Sequence, residues 1–245
     1  MNENINNSTS NKIDNNIENA YVMSQRIYEH SELIKLLSEG SIAEKQIAAL
    51  EFDYVKTQDD AAALIKNLTG CDGKIREAVA HKIYYLIKNQ PDSKSIFAEC
   101  SVEDWAKATI DINANICRSI IDSAKELIDN ESFSKAYAQN IVQYTEEALN
   151  ELDKFIYRDK KYTINKQLFK LYWCLEALAY FYKFVPDTVM ESILNRSSVQ
   201  EEYTIREKVA QIIVKTDKYS KLKSRLSDDE NYYVRQILHH PSFFQ

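Results

Sequence analysis

Glycine and proline are scarce in this sequence. Three glycines and three prolines occur in 245 residues, whereas average usage is roughly 7% glycine and 5% proline. Because many turns with positive φ depend on glycine, hairpin-rich β folds are disfavoured. The glycines also cannot form the phosphate loops G-x-G-x-x-G or G-x-x-x-x-G-K. With plentiful alanine, leucine, lysine and glutamate, this composition predicts an all-α fold and excludes those two nucleotide-binding loops.

Metal-binding and catalytic signatures are also missing. The spacings of the four cysteines match no C-x-x-C or zinc pattern. We interpret the cysteines as small apolar residues in a reducing compartment, with a metal or redox site as the alternative. No H-E-x-x-H motif or nucleophile elbow occurs. We therefore expect no catalytic residue, no metal and no cofactor.

Long uncharged apolar runs are absent as well. The most apolar stretch, residues 168–185, is interrupted by Lys170, Glu176 and Lys183, and about 20 largely uncharged residues are needed to span a bilayer. We interpret this stretch as a core helix. No apolar segment near the beginning resembles a secretory signal, so we expect a cytoplasmic location and no membrane partner. The net charge of −6 argues against a duplex-binding protein.

The chain divides into two parts by composition. Residues 1–19 are rich in asparagine, so we expect a disordered tail, with a short docked helix as the alternative. Residues 20–245 carry helical periodicity and are predicted to form one domain. Ser41 with Glu44, and Thr57 with Asp60, have the spacing of helix capping boxes.

One short pattern occurs four times in the helical part. It reads DGKIREAVA at 72–80, NANICRSII at 113–121, EEYTIREKVA at 201–210 and DDENYYVRQILHH at 228–240. In each copy an apolar residue precedes an arginine, and another apolar residue follows three positions later, on the same helix face. The residue four positions before the arginine is suited to cap the helix in three copies. The pattern predicts repeated helical units.

The spacing of the four arginines supports a repeat. The intervals are 42, 88 and 29 residues, and 88 is about two units of 44. HEAT and armadillo units have about 40–47 residues. The pattern therefore resembles a HEAT-like repeat. This resemblance implies a right-handed α-solenoid of about five to six antiparallel helix pairs. In that family an acidic turn residue and the arginine link successive units in a ladder. The resemblance implies such a structural role, with ligand contact as the alternative, for Asp72, Arg76, Arg118, Glu202, Arg206, Asn231 and Arg235.

Two further groups of residues are candidate contacts for a partner. The basic run KTDKYSKLKSR could meet an acidic partner or a phosphate backbone, although a solvated helix face also explains it. The aromatic pairs near the end of the sequence are typical of binding surfaces, although packing also explains them. The candidate contacts are Lys215, Lys218, Lys221, Lys223, Arg225, Tyr232, Tyr233, Phe243 and Phe244.

These observations predict a binding protein. We expect a non-enzymatic scaffold or adaptor that holds a protein or peptide on the concave side of the solenoid. One alternative is an enzyme with a HEAT-like fold, similar to DNA-alkylation-repair glycosylases or bilin lyases, which is an analogy of fold alone. The other is a nucleic-acid-binding module that uses the basic run. The oligomeric state stays open.

Overall fold

The computed structural model describes residues 22–23, 25–154 and 161–240. The Asn-rich segment 1–19 and the Phe243-Phe244 pair lie outside the described residues. Within the described part the regular structure is entirely helical, as the composition predicts. The helices are α1 (His30–Glu39), α2 (Ile42–Glu51), α3 (Gln58–Ile65), α4 (Gly73–Asn89), α5 (Ser93–Ala98), α6 (Val102–Thr109), α7 (Ala114–Glu126), α8 (Glu131–Asp153), α9 (Lys161–Phe181), α10 (Asp187–Ser197), α11 (Tyr203–Thr216), α12 (Ser220–Ser227) and α13 (Tyr232–His239).

Local sequence explains where several of these helices begin. Ser41 and Glu44 form a capping box at the start of α2, and Thr57 and Asp60 form a second one at the start of α3. Each box satisfies two backbone N–H groups that the first helical turn leaves without an acceptor. Both capping boxes were predicted from the spacing, and both predictions are confirmed.

The long helix α9 differs in its bounds from the helix that the sequence predicts. It begins at Lys161 and ends at Phe181, and Tyr182–Phe184 forms a 3-10 turn. Val185 is extended, with φ −110° and ψ 132°. A residue before proline is biased away from α-helical geometry, and Pro186 follows directly. The helix is buried on several sides, against α6, α7, α8 and α11, as expected for the centre of the core.

The helices contact one another in a regular order. Helices α2, α4, α7, α9, α11 and α13 each contact the next member of that series, and we call them the inner helices. Each inner helix also packs on the helix before it in a pair: α1 on α2, α3 on α4, α6 on α7, α8 on α9, α10 on α11 and α12 on α13. Helix α5 stands outside this pairing and contacts α3 and α4. These contacts are compatible with a repeat of helix pairs.

Neighbouring inner helices run in the same direction. Lys125 in the last turn of α7 lies against Tyr180 in the last turn of α9, and Lys215 in the last turn of α11 lies against the same ring. Earlier in the helices, Lys208 of α11 lies over Tyr172 of α9. The last turns of the three helices meet, and so do positions about two turns earlier, so the three helices are parallel. The helix that lies between two of them in the sequence brings the chain back to the end where the next one begins.

An aromatic chain runs through the core. Phe97, Trp105, Phe133, Tyr137 and Phe181 contact one another in succession, with ring centroids 4.8–6.3 Å apart. Aromatic pairs stabilise a core through their large buried area and their edge-to-face geometry. These contacts join α5, α6, α8 and α9 into one core. None of the described helices is both long and apolar enough to cross a lipid bilayer.

Candidate functional site

Arg76 links α4 to the turn before α7. Its Nε donates to Asp111 Oδ2 at 2.6 Å, and its Nη2 donates to Asp111 Oδ1 at 3.3 Å. A third bond, from Nη1 to the Gly70 carbonyl at 2.7 Å, holds the turn before Arg76. Asp111 also accepts from the backbone N–H of Asn113. One carboxylate therefore organises its own turn and fixes the neighbouring unit.

Arg206 repeats this arrangement between α11 and the turn before α13. Its Nε and Nη2 donate to the two carboxylate oxygens of Asp229 at 2.7 and 3.0 Å. Its Nη1 donates to the carbonyls of Gln200 and Glu201 in its own preceding turn. Asp229 accepts from the backbone N–H of Asn231, as Asp111 does from Asn113. The bidentate geometry is the strong form of an arginine–carboxylate contact.

The Arg206–Asp229 pair is largely withdrawn from water. The side chains are 8% and 6% exposed. Burial alone would raise the pKa of Asp229, but the hydrogen bonds from Arg206 and from the Asn231 backbone lower it below its usual value. The bond to Asp229 outweighs burial at Arg206 and raises the pKa of the guanidinium. Both groups are therefore charged at neutral pH.

The acidic partners differ from the residues that the sequence pattern indicates. Asp72, Glu202 and Asn231 are the N-caps of α4, α11 and α13, and each accepts from backbone N–H groups of its own helix. The arginines instead bind Asp111 and Asp229, which lie two residues before the next N-cap. The signal that could have found them is D-x-N at the start of the helix, present at 111–113 and 229–231.

The second copy of the pattern is displaced by one residue. The N-cap of α7 is Asn113, so Cys117 is the fourth helical residue and Arg118 is the fifth. Cys117 Sγ donates to the Asp111 carbonyl at 3.0 Å, six residues back, as Arg76 does to Gly70. Arg118 is rotated by about 100° from that position and is exposed. Cys117 occupies the arginine position, and Arg118 belongs to a different surface.

Arg235 keeps the local half of the arrangement. Its Nη1 bonds the carbonyls of Asp229 and Glu230 in the preceding turn. It is the fourth residue of α13, as Arg206 is of α11. Within residues 22–23, 25–154 and 161–240 it makes no ion pair.

The parallel helices α7, α9 and α11 present a row of polar and aromatic side chains on their solvent side. On α9 this row is Tyr172, Glu176 and Tyr180, which are half-buried and recur every four residues on one helix face. Charged side chains of α7 and α11 lie against it from both sides. We call this surface the α7–α9–α11 face. It comprises Arg118, Asp122, Lys125, Tyr172, Trp173, Glu176, Tyr180, Lys208, Gln211 and Lys215.

A pocket of about 210 Å³ opens on this face between α7 and α9. It is lined by Arg118, Asp122, Tyr172, Trp173 and Glu176, together with one isoleucine. Trp173 is only 6% exposed, and its indole Nε1 has no hydrogen-bond acceptor among the described residues. Buried indole N–H groups usually find a partner. The pocket is thus lined by the exposed Arg118 and by a tryptophan whose indole N–H is buried.

Lys208 bridges α11 and α9 beside this pocket. Its Nζ lies 2.5 Å from Glu176 Oε2, 3.0 Å from Gln211 Oε1 and 4.8 Å from the centre of the Tyr172 ring. Burial alone would lower the pKa of Lys208, but Glu176 and Tyr172 raise it above its usual value. Glu176 therefore compensates the charge of Lys208 within the face. Glu207, the residue before Lys208, is half-buried, and burial raises the pKa of its carboxyl.

Two lysines flank Tyr180 one turn further along. The Nζ atoms of Lys125 and Lys215 lie 4.3 and 3.6 Å from the centre of its ring. Lys125 also donates to Asp122 at 3.0 Å, and this bond and Tyr180 raise its pKa although burial opposes them. Lys215 has no carboxylate within ion-pair distance in the described part of the chain. Its pKa is lowered, first by burial and then by the cations Lys125 and Lys208, although Glu176 opposes the shift.

The structure separates the lysines of the predicted basic run. Lys215 lies on the α7–α9–α11 face, whereas Lys218 follows α11 and pairs with Asp187 at 2.8 Å. Lys221 and Lys223 are exposed on α12. Arg225, also on α12, donates to the Ser198 hydroxyl. The run therefore does not form one continuous patch.

The predicted aromatic contacts lie at the α13 end. Tyr232 and Tyr233 are 58% and 61% exposed, and their rings touch with centroids 5.7 Å apart. Tyr233 also stacks on Tyr203 of α11 at 6.2 Å. Phe243 and Phe244 lie outside the described residues.

Most residues of the α7–α9–α11 face were not predicted. Tyr172, Trp173, Glu176 and Tyr180 lie in the stretch 168–185, which the sequence predicts as a core helix, and no motif singles out Lys125 or Lys208. A signal was present in the spacing of Tyr172, Glu176 and Tyr180, because a helix that is otherwise apolar carries its polar groups on one line. Within the described residues, no group of three or more His, Cys, Asp or Glu side chains could hold a metal ion.

Comparisons with known proteins assign no family. No protein-family model matches the sequence, and no curated protein matches it. Among solved structures, the chain is similar to the crystal structure of an engineered protein from the Northeast Structural Genomics Consortium. The TM-score is 0.47 and the sequence identity 11%, over 87% of this chain and 94% of that one. This similarity assigns neither a fold family nor a function.

Proposed function

We propose that the chain is a HEAT-like α-solenoid of six helix pairs. The proposal is supported by the order of contacts, in which each inner helix touches the next along the chain. It is also supported by the Arg76–Asp111 and Arg206–Asp229 pairs, which join successive inner helices at their N-terminal ends. In such a stack one helix pair cannot bury its apolar side alone, and its neighbours complete the core.

The function that we propose is binding of an extended peptide segment from a protein partner, as a scaffold or adaptor. The observation that carries it is the α7–α9–α11 face, where three parallel helices bring tyrosine, tryptophan, arginine and lysine side chains to one open surface. Tryptophan, tyrosine and arginine are the residues that most often dominate binding energy at interfaces. In the proposed solenoid this face lies on the concave side, where such proteins bind extended partners.

Selection of peptides tests this function. A displayed library of random dodecapeptides is selected against the protein, and affinities are then measured for the peptides obtained. The face variant is Tyr172→Ser with Tyr180→Ser. The matched control is Tyr162→Ser on the same helix, whose ring is 83% exposed and lies about 15 Å along the helix axis from Tyr172. Circular dichroism and thermal unfolding establish that both variants are folded.

We expect selected peptides to bind the wild type and the Tyr162→Ser control alike. Binding to the face variant should fall by roughly thirtyfold or more, since truncation of an interface hot spot costs at least about 2 kcal/mol. The proposal is wrong if selection recovers no binding peptide, or if the selected peptides bind the folded face variant as well as they bind the wild type.

A further inference from the structure

We infer that Lys125, Tyr180 and Lys215 form a subsite for a carboxylate group of the bound peptide. The inference rests on the proposed peptide-binding function and adds the chemistry of the ligand. The three residues come from three different inner helices and meet at one ring. Nothing in the repeat pattern places them together.

The first argument is charge compensation. Lysines in the last turn of a helix are favourable because the C-terminal end of the helix is negative. Here, however, both ammonium groups lie against the Tyr180 ring. Lys125 has Asp122 as its ion-pair partner, whereas Lys215 has no carboxylate within ion-pair distance among the described residues. A half-buried cation beside a second cation is a position that an incoming anion stabilises.

The second argument is the fit of the ligand. A carboxylate that reaches these ammonium groups would make charge-assisted hydrogen bonds, which are shorter and stronger than neutral ones. The Tyr180 hydroxyl can donate to the same group. Binding would also return the pKa of Lys215 towards its usual value, because the anion offsets the effect of burial and of Lys125.

The third argument is that the face favours a single carboxylate over the phosphate backbone of a nucleic acid. Asp122, Glu176 and Glu207 lie on or beside the same face. They would repel the regularly spaced charges of a nucleic-acid backbone. A single Asp or Glu side chain or a terminal carboxylate brings only one negative charge to the face, beside Lys215, which has no carboxylate within ion-pair distance among the described residues. The neighbouring pocket, which Arg118 and Trp173 help to line, remains available for the next side chain of the peptide.

The experiment compares peptide selections against the wild type, Lys125→Met, Lys215→Met and a control, Lys218→Met. Lys218 is exposed, lies in the turn after α11 and is already paired with Asp187. Thermal unfolding is measured for every variant. Lys215→Met should unfold at the same temperature as the wild type or higher, because it removes a partly buried cation that has no ion-pair partner among the described residues.

We expect Asp or Glu to be enriched at one position among peptides selected by the wild type and by Lys218→Met. That enrichment should vanish with Lys215→Met and weaken with Lys125→Met. In a selected peptide, replacing this Glu by Gln should weaken binding to the wild type by roughly tenfold, the usual effect of one charge-assisted contact. The same replacement should leave binding to Lys215→Met unchanged.

Three outcomes would overturn the inference. If the selected peptides show no acidic preference and bind the wild type and Lys215→Met equally, the carboxylate subsite is wrong. The peptide-binding function is not contradicted by that result. Failure to select any peptide removes both. A ten-nucleotide oligothymidylate that displaces the peptides and loses binding with Lys215→Met would show that the lysines bind phosphate on a nucleic acid.

Discussion

Two aspartates, Asp111 and Asp229, each serve two helices at once. Each accepts a backbone N–H two residues further along and a bidentate arginine from the preceding inner helix. Removing one partner of a buried pair is far more costly than the pair's net contribution, because the remaining charge is left uncompensated. The residue that links two units is therefore a sensitive position for stability.

Substitution of Asp229 by Asn should destabilise the protein by about 3 kcal/mol at neutral pH, the usual cost of breaking a buried ion pair. The measurement is denaturant unfolding, with the neighbouring exposed Asp228→Asn as control. The folded-state pKa of Asp229 is lowered, so its stabilisation is present above the unfolded pKa of about 3.9. It should disappear as the pH falls through the folded pKa. Equal stability of the two variants at neutral pH would contradict this role for Asp229.

The turn between α11 and α12 contains the two non-glycine residues with positive φ among the described residues. Asp217 and Tyr219 have φ of 51° and 62°, whereas the residue between them does not have positive φ. Asp217 closes α11 in the left-handed conformation, where glycine is the usual residue. The tyrosine is partly buried against the core, which explains how a bulky residue is held in this geometry.

Replacement of Asp217 by Gly should raise the free energy of unfolding by up to about 1 kcal/mol, because glycine adopts positive φ without steric cost. Lys218→Gly is the matched control. It relieves no positive φ and removes the contact with Asp187, so it should leave stability unchanged or lower it. Thermal and denaturant unfolding measure both variants. If Asp217→Gly is the less stable of the two, the left-handed conformation is not a source of strain.

At the scale of the whole molecule, the helices differ in how many neighbours support them. Helices α7 and α9 each have an inner helix on both sides, whereas α13 contacts α11 and α12 and α1 contacts α2 and α3. In a stack of units, stability is approximately the sum of unit and interface terms. The described helices should therefore open from the ends of the series inwards.

Hydrogen–deuterium exchange measured by mass spectrometry should show the slowest exchange in α7 and α9 and the fastest in α1 and α13. In Asp229→Asn, exchange should accelerate in α12 and α13 and remain unchanged in α1 and α2, because only the link to the last pair is broken. A uniform acceleration along the chain would instead indicate a single cooperative unit, with no stepwise loss of helix pairs.

Part of this molecule follows from local properties of the chain. Scarce glycine and proline and the helical period of apolar residues determined the all-α fold. The capping boxes at Ser41 and Thr57 determined where α2 and α3 begin. These features involve residues within a few positions of one another, so their partners can be read from spacing alone.

Only the tertiary structure decided which residues meet across helices. Arg76 and Asp111 are 35 positions apart, and Arg206 and Asp229 are 23 apart. One displaced residue put Cys117 in the arginine position and Arg118 on the open face. Lys125, Tyr180 and Lys215 converge because three parallel helices pack in register. Each of these outcomes depends on helix packing, to which residues distant in the chain contribute together, and no local pattern encodes it.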